Sequence, residues 1–148
     1  MNYFSVLIFL HIVSMTLFTG SWAALLVMWQ RAGQTQSGPM EPLAAALVTV
    51  ARFSSIVAGS LVLLVGLLMI LVQPQVLALG GRFHAKLFLG VLAIGLSHMA
   101  AGRLKKLYNT IKLDGAARLE DTAFTRLGGL VMLLMTVVIY LGVSLNHG

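Results

Sequence analysis

The chain has 148 residues, of which 59% are hydrophobic and only 9% charged, with a mean hydropathy of +0.96. So few charges cannot clothe the surface of a water-soluble domain of this size, so the solvent for most of the chain is a lipid bilayer. Cysteine is absent, which excludes disulfides, iron–sulfur clusters, zinc thiolates and covalently attached haem.

Residues 3–29 form the first predicted span, interrupted only by His11 and small polar side chains. A hydrocarbon core of ~30 Å takes about 20 helical residues, and this run exceeds that. It lacks a basic leader region and is too long for the apolar part of a signal peptide, so no cleavable leader is expected. A Gln/Ser/Gly-rich connector follows at 30–39. The second span covers 43–72. Residues 42–51 read as an amphipathic lead-in near the interface, Arg52 marks the headgroup boundary, and 53–72 carry no charge. Gln73-Pro74 and Gly80-Gly81 bracket a short turn. The third span runs over 83–104, a basic segment occupies 103–126, and the fourth span covers 127–145. The expectation is one all-α domain, a bundle of four transmembrane helices.

The basic residues predict its orientation. Four spans place the first and third loops on one side, with Arg31, Arg52, Arg103, Lys105, Lys106, Lys112, Arg118 and Arg126; the other side holds only Arg82 and Lys86. This bias puts the loops in the cytoplasm and both termini outside, as in a multi-pass protein of a bacterial inner membrane. Cations gathered at span ends contact lipid headgroups, so the net charge of +6 does not indicate a nucleic-acid partner.

Ionisable groups inside spans are costly and are functional candidates by default. They are His11, His84, Lys86 and His98, with Arg52 and Arg103 at the inner edge and Arg82 at the outer one. At ~1.5 Å per residue His11 lies roughly 12 Å below the outer surface, a level it can share with His84 or Lys86. His98 is roughly 21 Å further in than His84, in the inner half. At about 100° per residue His84 and Lys86 point to nearly opposite sides of their helix, whereas His84 and His98 lie within about 40° of each other. One site therefore pairs His11 with His84 or with Lys86, and His98 serves elsewhere, as a proton-path element or an interhelical hydrogen-bond partner. Nitrogen donors on facing helices of an apolar bundle suit a b-type haem, for which Arg82 is placed to meet a propionate. The glycines and alanines of the third span also fit ordinary helix packing, and a lone histidine often only bonds across helices.

Several of these residues carry a family resemblance. Leu10-His11-Ile12-Val13 followed by Phe18-Thr19-Gly20 resembles the first-helix pattern of the HemJ family, the oxygen-independent, membrane-embedded protoporphyrinogen oxidases. Phe83-His84-Ala85-Lys86-Leu87, Ser97-His98 and Gly102-Arg103 resemble its H-x-K-L and Y-H-x-x-x-G-R segments at the same spacing, and Arg52 stands where the family opens its second helix with arginine. The resemblance covers most of the chain. It implies a four-helix protein with one b-type haem per chain, which oxidises a reduced tetrapyrrole and passes the electrons to membrane quinone. It places the family's essential histidine and lysine on His11 and Lys86, accompanying histidines on His84 and His98, and a conserved arginine on Arg103. Lys86 and Arg103 are then the catalytic candidates; His11, His84 and Lys86 are candidate iron ligands; Arg52, Arg82 and His98 are further haem contacts. The chain departs from the pattern at Ala24-Leu25-Leu26-Val27, where the family has an arginine, and at Thr125-Arg126-Leu127-Gly128-Gly129, which replaces its Asn-Glu-Pro segment.

Three alternatives stand beside this. One is haem-based electron transfer from another donor. The second is a CopD-like copper-handling protein using His11, His84 and Met15, since thioethers favour Cu(I). The third is a non-catalytic subunit. Self-association is left open.

Overall fold

The structure, a computed structural model, describes residues 3–34, 40–114 and 121–144. Residues 35–39, Arg118 and residue 145, on which parts of the loop and span expectations fall, lie outside them. No strand occurs among the described residues, and four helical segments are long and apolar enough to cross a membrane. They are α1 (Tyr3–Gln34), the composite of α2 (Met40–Arg52), a π-helical turn (Phe53–Ala58) and α3 (Gly59–Val72), then α4 (Gly81–Asp114) and α5 (Thr122–Ser144). A 3₁₀ turn (Pro74–Leu79) and Gly80, whose φ of 80° suits only glycine, reverse the chain between α3 and α4.

The helices extend further at the basic end than the hydrophobic runs suggest. α4 continues to Asp114 instead of ending near residue 104. The reason is periodicity: Leu104 and Ile111 stay buried while Arg103, Lys105 and Lys106 face outward. α2 is likewise a packed helix, burying Ala44, Leu47 and Ala51 against α4. α5 starts at Thr122 rather than 127 because Asp121 caps it, its Oδ1 accepting from the backbone N–H of Ala123 at 2.8 Å and Phe124 at 3.1 Å. At ~1.5 Å per residue the 34 residues of α4 reach roughly 50 Å, well beyond a ~30 Å hydrocarbon core.

The bundle closes in a ring: α1 packs on the α2–α3 composite, α2 on α4, α4 on α5, and α5 back on α1. Its tightest packing lies toward the basic end. There Trp29 stacks at a tilt on Phe124, ring centroids 4.6 Å apart, and its Nε1–H donates to Thr125 Oγ1 at 3.1 Å, locking α1 to α5. Near the middle the Ser21 and Ser54 hydroxyls are hydrogen-bonded at 2.7 Å, joining α1 to the π-helical turn. Buried Ser55 and Ser97 donate to carbonyls of their own helices, which spares hydroxyl groups from facing hydrocarbon unpaired.

Candidate functional site

Away from the basic end the bundle loosens around a cavity of ≈ 260 Å³. α1 presents His11, Met15 and Phe18 to it, at the i, i+4, i+7 spacing of one helix face. α4 presents Lys86, Gly90 and Ile94, again one face. α3 contributes Val62 and Gly66, and α5 contributes Met135 and Val138. Phe18 and Ile94 form the floor. A Cβ at Gly59 would stand 3.4 Å from Phe18 Cε2 and 3.3 Å from Ile94 Cγ2, so the glycine lets α3 come close there.

Two polar groups enter this apolar space. The His11 imidazole lies over Gly66, where a Cβ would come within 3.4 Å of its Cε1 and 3.8 Å of its Nδ1. Its Nδ1 is buried and makes no hydrogen bond of good geometry, while the ring lies beside the Val62 backbone of α3. The Lys86 ammonium rests against Gly142 of α5, where a Cβ would stand 3.1 Å from Nζ. Both side chains line the same cavity. An imidazole and an amine in an apolar cavity are nitrogen groups suited to an electron-poor centre or to polar groups on a ligand.

Of the two pairings open at the start, the structure brings Lys86 to His11 and leaves His84 outside. His84 is exposed, and its Nδ1 lies 2.9 Å from the Gly80 carbonyl; since a carbonyl only accepts, the ring donates there. His98 is exposed and donates in the same way to Ile94 O at 2.9 Å. Neither lines the cavity. Arg82 is exposed one turn before Lys86, on the same side of α4. Arg52 is exposed at the end of α2, and Arg103 lies 3.7 Å from Asp121 at the basic end, 54% exposed. Arg103 is 17 residues beyond Lys86 along α4, roughly 25 Å away, and cannot share one small site with it.

Sequence reasoning missed Gly66, Gly142, Met135 and Val138. A glycine in a membrane helix reads as packing, and nothing in the fourth span marks which face meets a lysine of the third. Met135 adds a second thioether beside His11 and Met15. Among the described residues no three His, Cys, Asp or Glu side chains cluster as a metal site. No family model, no curated protein and no solved structure matches the chain.

Proposed function

We propose that the chain is a membrane b-haem oxidoreductase that oxidises a reduced tetrapyrrole, protoporphyrinogen IX by the resemblance, and delivers the electrons to membrane quinone. The observation that carries this is that His11 of α1 and Lys86 of α4 line one apolar cavity. The residue types support the reading: an imidazole and an amine are nitrogen donors that would hold the iron, the walls are hydrocarbon, and Arg82, one turn from Lys86, would meet a propionate. When bound, the group supplies one-electron transfer between substrate and acceptor.

The chain's own residues do the rest. Met15, Phe18, Ile94 and Met135 give the cavity apolar walls, and Gly142 gives the Lys86 amino group room beside α5. Each pair of electrons and protons taken from the porphyrinogen reduces one quinone to its quinol, so the two half-reactions balance without oxygen. The excess of cations at one end supports a reading with that end in the cytoplasm and the cavity toward the outer face of a bacterial inner membrane.

The test is an absorption spectrum of protein purified in mild detergent. A Soret band is expected in the wild type, with haem per protein lowered about tenfold or more in His11→Ala and Lys86→Ala. Colourless wild-type protein in every preparation would end this reading. A second reading, Cu(I) held by His11, Met15 and Met135, is favoured by the two thioethers in the same cavity. Copper retained by colourless protein, and lost in Met135→Leu, would select it.

A further inference from the structure

The cavity is walled on three sides and open on the fourth. α4 packs along α5, and α1 along α3, whereas α3 and α4 are joined chiefly through the π-helical turn at one end and the 3₁₀ turn at the other. Leu63 and Leu67 of α3 and Val91 of α4 line the cavity and are nonetheless 42%, 57% and 57% exposed. On the opposite wall Met135 and Val138 are only 2% and 4% exposed. Side chains that face both a cavity and the outside mark an opening, and this one faces hydrocarbon rather than water.

The opening begins where the second span changes its winding. The π-helical turn places Gly59 close to Ile94, and from there the two helices part until the 3₁₀ turn rejoins them. A π-helical turn within an α-helix is a common device for offsetting a helix beside a site.

Charge narrows what this opening admits. Lys86 stands inside and Arg82 one turn above it. All four acidic residues, Glu41, Asp114, Glu120 and Asp121, belong by sequence to the other end of the bundle. Among the described residues no Asp or Glu side chain pairs with Lys86 or Arg82. A molecule that arrives through hydrocarbon must have an apolar body, and one that settles beside two cations gains by carrying an anion.

We infer that the cleft between α3 and α4 is a lateral portal by which a membrane-dissolved apolar carboxylate reaches the cavity, its head toward Arg82 and Lys86. This rests on the reading that the cavity at His11 and Lys86 holds a ligand, and it does not depend on that ligand being haem.

The test uses the full chain in phosphatidylcholine vesicles, photolabelled with a fatty acid bearing a diazirine on its chain and, in parallel, with the matching fatty alcohol. Labelled residues are mapped by mass spectrometry. Met15 and Met135 are expected to take the acid roughly fivefold more than the alcohol, and Arg82→Gln is expected to narrow that gap. In the double variant Leu67→Trp, Val91→Trp the cavity labelling should vanish, while Leu64→Trp, equally exposed on α3 but outside the cavity, leaves it intact. Far-UV circular dichroism confirms that each variant keeps its helices.

Equal labelling by acid and alcohol would overturn the anion preference. Undiminished cavity labelling in the double tryptophan variant would move the route elsewhere. Acid found only on lipid-facing residues would remove the portal altogether. An absorption spectrum of the same vesicles keeps this separate from the haem proposal: colourless protein that takes the acid retains the portal and loses the haem. Protein that binds haem, but whose cavity residues stay unlabelled by the acid when the haem has been extracted, does the reverse.

Discussion

The His11 ring and the Lys86 amino group each take up space beside a neighbouring helix. That space comes from glycines on other helices. Gly142→Ala would put a methyl group 3.1 Å from Lys86 Nζ, and the flexible amine, not the backbone, must give way. The protein should fold and hold its helices. With lysines reductively methylated using ¹³C, the Lys86 resonance should shift while those of Lys105, Lys106 and Lys112 stay in place. No Lys86 shift would show that Gly142 sets nothing. Gly102→Ala meets nothing within 4 Å and lies outside the cavity, so it serves as a silent control. Arg103 teaches the opposite lesson, because a motif gave it a role that its position does not share with the cavity. Its half-exposed pair with Asp121 is worth about 0–1 kcal/mol, so Arg103→Ala should cost less than ~1 kcal/mol. Asp121→Ala loses the helix cap as well and should cost about 1 kcal/mol more. Unfolding in mixed micelles measures both, and an Arg103→Ala protein that loses the cavity's ligand would refute this assignment.

The elements show where hydropathy misleads and periodicity does not. Hydropathy finds the spans, yet it ended α4 near residue 104 and made 42–51 a mere lead-in, because charged residues dilute the apolar signal. The spacing of Leu104 and Ile111, and of Ala44, Leu47 and Ala51, carries both helices past the membrane boundary. The π-helical turn left no such trace: Ser54, Ser55 and Ala58 are buried at a spacing that an ordinary α-helix also allows. Its contribution can be tested by deleting lipid-facing Ile56, which restores α-helical winding in the second span. Helix content by circular dichroism should be unchanged, while labelling of Met15 by the photoreactive acid falls. Retained labelling would mean that α3 parts from α4 for some other reason. The α1–α5 seam offers an independent check. A Cβ at Gly128 would stand 2.6 Å from Leu26 Cδ2, the far end of a movable side chain. Gly128→Ala should therefore destabilise by about 1 kcal/mol, the low end of the overpacking range, in the same micelle assay.

At the scale of the whole molecule, charge is divided unevenly along the bundle. Eight of the ten Lys and Arg residues belong to the end that holds the loops between the first and second spans and between the third and fourth; two belong to the end that holds the termini. All four carboxylates fall at the first end too, where Asp121 is spent on a helix cap and Arg103. The same asymmetry leads to a prediction of which way the protein sits in the membrane. Orientation is measurable by fusing alkaline phosphatase, active only outside the cytoplasm, and green fluorescent protein, fluorescent only inside it. Insertion within residues 115–120 should give fluorescence without phosphatase activity, and fusion after Gly148 should give phosphatase activity without fluorescence. The cause can be tested as well. Lysine and arginine near span ends act through their summed bias, so removing one cation should leave the topology unchanged. Converting Lys105, Lys106, Lys112, Arg118 and Arg126 together to Gln, with lysines added before Tyr3, should produce a mixed or inverted population. If that variant keeps a single orientation identical to the wild type, the cations do not set the topology, and the cavity's assignment to the outer half of the membrane must be argued from something else.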